Sequence, residues 1–144
     1  MIMIIRRWEF SMILVDTSVL IGYLKGLDKE PIKVFEEIIE RRIPFGINSF
    51  IYQEILQGSR DKKEFSELKE YLGSLHFYEL KYGNESYERA AYLYFQCRKS
   101  GLTIRSTVDL LIAETAIENE IYLLEDDNDY KAISKVIKDL RLYK

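Results

Sequence analysis

Four carboxylates stand where apolar segments of this chain end or turn inward: Asp16, Glu54, Asp109 and Asp127. Asp16 closes the run "MILV". Asp127 follows the run "IYLL" after a short turn, with Asp126 and Asp129 beside it. Glu54 lies three residues from Ile51 and four from Phe50, on an apolar stripe. An inward carboxylate is costly unless something pairs with it. Gathered together, such groups repel: two carboxylates about 4 Å apart cost on the order of 4 kcal/mol at an effective dielectric of about 20. A cluster of this kind persists if a cation fills it or if some members keep their protons. An all-oxygen ligand set suits Mg²⁺ or Mn²⁺. The chemistry such an ion supports is phosphodiester hydrolysis by an activated water, with in-line displacement. Each acid also has an ordinary reading. Ser106 and Asp109 form Ser-x-x-Asp, a helix capping box. Asp127 or Asn128 caps the next helix, Glu54 pairs with a lysine, and Asp16 opens a turn. Taken singly these suffice; taken together they leave unexplained why four acids fall at one edge.

The elements that must bring them together alternate short apolar runs with helix-period segments, the pattern of βαβ units and a parallel sheet. Strands are expected at 12–15, 44–47, 75–80, 121–124 and 140–143. Helices are expected at about 18–25, at 31–42 with Ile32, Phe35, Ile38 and Ile39 inward, and at 49–58 from a serine cap to a glycine. Others follow at 61–73, from an Asn84 cap to Arg98, Lys99 and Gly101, at 106–119 with Val108, Leu111, Ile112 and Thr115 on one face, and at 129–137. In open parallel sheets, ligands bind at the carboxyl ends of the strands. Right-handed crossovers bring Asp109, in a first helical turn, to the edge where Asp16 and Asp127 end their strands.

The bulk composition narrows the chemistry. A length of 144 residues fits one domain, with residues 1–11 an extension if Met12 is the true start. The net charge of −3, from 21 basic and 24 acidic residues, argues against a broad basic nucleic-acid surface. It leaves room for an enzyme that grips nucleic acid locally or through a metal. One histidine, His76, excludes a two-histidine nuclease and a multi-histidine zinc site; it sits in an expected strand and reads as structural. The single cysteine, Cys97, fits a reducing cytoplasm and reads as a core thiol near Tyr87, Ala90 and Tyr94. No apolar run approaches the roughly 18 residues that cross a bilayer. The 11 tyrosines and 7 phenylalanines mostly follow element spacing, which favours core and dimer packing over base stacking.

The stretches "ILVDTSVLI", "FIYQEIL", "LTIRSTVDLLIAETA" and "LLEDDNDYKAI" occur in the order and spacing of the PIN-domain family, and most resemble its VapC-type toxins. The similarity runs from Met12 through essentially the whole chain. It implies a three-layer α/β/α fold whose central, mainly parallel sheet is flanked by helices. It implies that Asp16, Glu54 and Asp109 match the three core acids that hold Mg²⁺ or Mn²⁺. Asp127 then matches the fourth, the first aspartate of Asp-x-Asp-aromatic, and Asp129 assists. Thr17 or Ser18 offers a hydroxyl near the metal or its waters. The implied activity is endoribonuclease cleavage of tRNA or ribosomal RNA that stops translation. The implied state is a cytoplasmic homodimer neutralised by a cognate VapB-type antitoxin.

One departure from the family pattern is Glu125, where many relatives carry a hydroxyl, asparagine or histidine. Either Glu125 points away, or the site carries extra negative charge and needs metal more. The choice of Asp127 over Asp126 as fourth acid turns on the same stretch. Arg105, beside Ser106, reads equally as a phosphate contact or as a salt bridge to one of the acids. Arg60, Lys62 and Lys63 offer an RNA grip or a solvated surface. A haloacid-dehalogenase-like phosphatase wants a second aspartate two residues after the first, where this chain has Ser18. A receiver domain wants an early acidic pair, which is missing. A degenerate PIN domain that binds RNA or a partner without cutting is the non-enzymatic alternative.

Overall fold

The computed structural model of the protein describes residues 12–143; the expected extension over residues 1–11 lies outside the described residues. In chain order the elements are β1 (Ile13–Val15), α1 (Thr17–Leu24), α2 (Glu30–Glu40), β2 (Phe45–Ile47), α3 (Ser49–Gln57), α4 (Lys62–Gly73), β3 (His76–Phe77), α5 (Asn84–Lys99), α6 (Thr107–Glu118), β4 (Tyr122–Leu124) and α7 (Asn128–Val136). The four strands are parallel in the order β3-β2-β1-β4. Helices flank the sheet, as expected of a three-layer α/β/α fold.

β1 is central, and all three of its residues are fully buried. A continuous apolar strand is what a parallel sheet covered on both faces requires. Its register against β4 pairs Val15 with Leu124, so both strands end at one level. The strand order reverses between β2 and β4 around β1, which makes this edge the switch point where ligands of such sheets bind. Gly46 is required on β2: a Cβ there would run into the His76 carbonyl and the Tyr78 ring.

Several boundaries differ from expectation for identifiable reasons. The 75–80 strand shortens to two residues. Beyond Tyr78, whose N–H still donates to the Ile47 carbonyl at 2.8 Å, side chains take over the backbone groups. Asn119 donates to the Glu79 carbonyl at 3.0 Å, and Glu118 accepts the Lys81 N–H at 2.7 Å. The 140–143 strand reduces to one bridge, Leu123 to Leu142. Asn48, not Ser49, caps α3, accepting from the Ile51 N–H at 2.9 Å, while Ser49 Oγ donates to Glu79. α5 begins after Gly83 at φ 58°, a left-handed turn suited to glycine, rather than from an Asn84 side-chain cap. His76 is exposed and packs edge-on against Tyr78. Cys97 is fully buried as expected, whereas Tyr87 lies on the exposed face of α5.

α6 is buried on nearly every side rather than on the single expected face, with Leu110, Ile112, Ala113, Glu114, Thr115, Ala116 and Glu118 all inside. Two of those residues are acids. Glu118 Oε1 accepts from the Lys81 N–H and from Ser86 Oγ at 3.0 Å. Glu118 Oε2 is buried with no other donor among the described residues, and Glu114 lies against it. Burial, then the hydrogen bond to Glu118 and its charge, push the Glu114 carboxyl up to about 8. Burial beside a second carboxylate thus favours keeping a proton on the pair, on the Glu114 side.

Candidate active site at the carboxyl edge of the sheet

Asp16 follows β1 directly and opens α1. The residue is buried, with 5% of its surface exposed. Ser18 Oγ donates to Asp16 Oδ2 at 3.0 Å. Burial raises the Asp16 carboxyl to about 6; the Ser18 hydroxyl and the N–H groups of Thr17 and Ser18 pull it down, and the charge of Glu54 pushes it further up. The next residue reaches α3: Thr17 Oγ1 donates to Glu54 Oε1 at 2.7 Å. The inward glutamate thus has a hydroxyl partner from α1 rather than a lysine, and it is tied to the residue that follows Asp16.

Asp109 lies in the first turn of α6. The capping-box reading does not hold, because the Ser106 side chain makes no cap bond although Ser106 occupies the N-cap position. The Asp109 carboxylate instead accepts from the Tyr130 hydroxyl at 3.3 Å. Burial, then the charges of Asp16 and Asp127, raise it to about 6, with Asp129 adding to the rise and Tyr130 opposing it.

The turn after β4 sorts its three consecutive acids. Glu125 Oε1 accepts the Asp127 N–H at 2.8 Å and Lys131 Nζ at 3.2 Å. Asp126 pairs with Lys29 at 2.7 Å. Asp127 caps α7, accepting from the Asp129 N–H at 2.9 Å. Glu125 is therefore engaged inside its own turn and with a lysine, and Asp126 is drawn to α2. Of the three, Asp127 is the one beside Asp109. Carboxylate oxygens of Asp109, Asp127 and Asp129 lie within 4.8 Å of one another, the group among the described residues with the spacing to hold one ion.

Arg105 supplies positive charge at this edge. Its Nη2 reaches both Asp129 oxygens, at 3.3 and 3.2 Å, in an exposed pair. Of the two readings of Arg105, the salt bridge is the contact present. Arg60 pairs with Glu64 on the surface of α4, as a solvated charge does.

Tyr130 is the residue that sequence reasoning passed over. It is fully buried in α7, and its hydroxyl lies 3.3 Å from Asp16 Oδ1 as well as from Asp109 Oδ1. Burial, then the charges of Asp16 and Asp109, hold the phenol well above its usual range, so it stays a neutral donor. The signal was the aromatic position of Asp-x-Asp-aromatic, whose tip is polar in this chain.

The edge thus assembles carboxylates from five elements or their ends: β1, α3, α6, the β4–α7 turn and α7. Oxygen donors predominate, two aspartates are pushed towards retaining protons, and among the described residues Arg105 is the basic side chain that pairs with the compact group. That donor set fits a divalent cation of the Mg²⁺ or Mn²⁺ kind, with Asp109, Asp127 and Asp129 closest together and Asp16 and Glu54 linked to them through Tyr130 and Thr17.

A parallel sheet in this order with an acidic carboxyl edge is the PIN-domain architecture, and the PIN-domain family model matches residues 13–136. The chain belongs to that family. It is 27% identical over 126 residues to VapC ribonuclease Mb1587 of Mycobacterium bovis, covering 87% of this chain and 93% of that protein. Among solved structures, VapBC2 from Rickettsia felis, bound to a DNA fragment from its promoter, superposes with a TM-score of 0.68 at 20% identity, covering 92% of this chain and 97% of the other. VapBC-1 from nontypeable Haemophilus influenzae gives 0.70 at 16% identity with the same coverage. At those identities the structural likeness speaks for the fold.

Proposed function

We propose that this protein is a metal-dependent endoribonuclease toxin of the VapC type, cutting tRNA or ribosomal RNA and so inhibiting translation in the cytoplasm. The observation that carries the reading is the convergence of Asp16, Glu54, Asp109, Asp127 and Asp129 on one edge of the sheet, from segments far apart in sequence. The VapC ribonuclease similarity across most of the chain supports it.

In this reading Asp16, Glu54, Asp109 and Asp127, assisted by Asp129, hold Mg²⁺ or Mn²⁺. A bound divalent cation supplies neutralisation of phosphate charge and a water activated for in-line attack. The chain's own side chains do the rest. Thr17 keeps Glu54 oriented, and Ser18 keeps Asp16 in place. Arg105 exchanges its exposed partner Asp129 for a phosphate oxygen of the RNA, a charge-assisted contact of the kind guanidinium groups favour. Ser106, at the head of α6 with its hydroxyl free of a cap bond, is a second candidate to contact the same substrate.

Two surfaces fit the expected partners. A groove lined by Ile21, Leu24, Ile55, Leu68 and Tyr71 runs between α1, α3 and α4, the first two of which carry Thr17 and Glu54. Lys25, Arg60, Glu64 and Glu67 also line it, so it suits a VapB-type antitoxin segment that mixes apolar and charged side chains. The exposed aromatics Tyr87, Tyr92 and Phe95 on α5 suit the contact of a homodimer. No helix among the described residues is long and apolar enough to cross a membrane.

The test is cleavage of total tRNA and ribosomal RNA by purified, antitoxin-free protein with Mg²⁺, with Mn²⁺ and with chelator. Discrete fragments formed only with metal are expected. RNA binding without cleavage under every condition would move the protein to the binding-module alternative.

A further inference from the structure

The position of Tyr130 goes beyond a family of acids around an ion. Its hydroxyl is equidistant, at 3.3 Å, from one oxygen of Asp16 and one of Asp109. Asp16 ends a strand, Asp109 begins α6, and Tyr130 sits in the first turns of α7, which Asp127 caps. One side chain therefore touches acids from two other elements, and its own helix carries two more. Its ring is fully buried, so the hydroxyl cannot wander. Packing needs only the ring. A phenylalanine fills the same space, and the oxygen is the part that packing leaves unexplained. A buried hydroxyl set between two carboxylates, with no other partner among the described residues, is one donor shared by two acceptors.

We propose that Tyr130 is a positioning residue of the acidic site: its hydroxyl sets the separation of Asp16 and Asp109 and so organises them to bind one divalent cation. This rests on the reading of the edge as a metal site. Hydrogen-bond donors that orient metal-binding carboxylates typically contribute 10- to 100-fold to metal affinity or activity. The same hydroxyl tempers the repulsion between the two acids while no cation is bound, so it acts on the site in both states.

The experiment is calorimetric titration of Mn²⁺ into the full-length wild-type protein and into Tyr130→Phe, with urea denaturation of both in chelator. Tyr130→Phe is expected to fold and to unfold in chelator at a slightly lower urea concentration than the wild type, as for the loss of one hydrogen bond. Its Mn²⁺ dissociation constant is expected to rise at least about tenfold. A purely structural tyrosine would lower stability and leave the Mn²⁺ affinity alone. Equal affinity in the two proteins would overturn the role of Tyr130 while leaving the metal site standing. A wild-type protein that binds no Mn²⁺ would overturn both. RNA cleavage then separates affinity from turnover: at saturating Mn²⁺ the variant is expected to recover most of its rate.

Discussion

Acids gather twice along α6, and the two gatherings are handled in opposite ways. At its first turn, Asp109 meets Asp127, Asp129 and, through Tyr130, Asp16. From its middle to its end, Glu114 and Glu118 are buried with backbone and hydroxyl donors around them. The buried pair is closer to self-sufficient: the Lys81 N–H and the Ser86 hydroxyl serve Glu118 Oε1, and burial favours a proton on Glu114 beside it. Arg89 and Asp139 are the other charges acting on it, and Arg89 is itself paired with Glu85. The edge cluster is not self-sufficient. Its donors are three hydroxyls, from Thr17, Ser18 and Tyr130, some N–H groups and one exposed arginine, against five carboxylates. Like charges inside a fold are silenced by shared protons when the role is structural, and kept open to an outside cation when the role is chemical.

The largest expected effect would break the structural half of the contrast. Glu118→Ala strands the Ser86 hydroxyl and the Glu114 carboxyl in the interior and frees the Lys81 N–H at its edge. A loss of about 3 kcal/mol is expected, the scale of a broken buried network, read by urea denaturation. Cleavage per folded molecule should be unchanged; a fall in rate with stability intact would show that the two gatherings are not separate.

At the edge the opposite sign is expected. Asp109→Asn removes a raised, repelled carboxylate, so at pH 8 the metal-free protein should melt roughly 2–4 °C higher, as for about 1 kcal/mol in a chain of this size. The melting shift that Mn²⁺ induces in the wild type should disappear. A lower melting temperature in chelator would mean that Asp109 is structurally satisfied as it stands.

The pH dependence sharpens the comparison further. Glu114 is raised from 4.5 to about 8. The folded protein keeps a proton that the unfolded chain releases, so this contribution to stability is full below pH 4.5 and is lost as the pH rises towards 8. Asp16 and Asp109, raised from 3.8 to about 6, act in the same direction over the lower window. Glu118 runs the other way: burial raises it, but hydrogen bonds from Glu114, the Lys81 N–H and Ser86 outweigh that and lower it, so its contribution is lost only in acid. Glu114→Gln, which still donates to Glu118, should flatten the melting temperature between pH 6 and 8 and reduce the decline between pH 4 and 6 to the share of Asp16 and Asp109. An unchanged slope above pH 6 would place the proton elsewhere.

The smallest effect is expected from Asp126→Asn. It removes the half-exposed Lys29 pair, which should alter stability by less than about 1 kcal/mol and cleavage hardly at all. A large loss of cleavage would return Asp126 to the site.

Asp16 was legible because an apolar run that stops at an acid has few structural explanations. The order of elements was legible for a similar reason, since period and punctuation are local. The sorting of Glu125, Asp126 and Asp127 was not, because three adjacent acids differ only in where a turn sends them, and Lys29, at the head of α2, and Lys131, in α7, decide that. Tyr130 was hidden because an aromatic on a helix's inner face reads as core, and its ring is core; only the hydroxyl is not. Glu114 and Glu118, at i and i+4, look like an exposed helix face until α5 and the 81–86 turn close over them. The shortened β3 has the same origin: side chains of α6 claim backbone groups that a strand would have used.

The most direct measurement is tRNA cleavage in Mn²⁺ by three proteins side by side: wild type, Asp109→Asn and Glu118→Gln. The account predicts fragments from the wild type and from Glu118→Gln at similar rates, and at least about a hundredfold less from Asp109→Asn, the scale of losing a group that acts on the reacting centre. Cleavage by Asp109→Asn at the wild-type rate would contradict it.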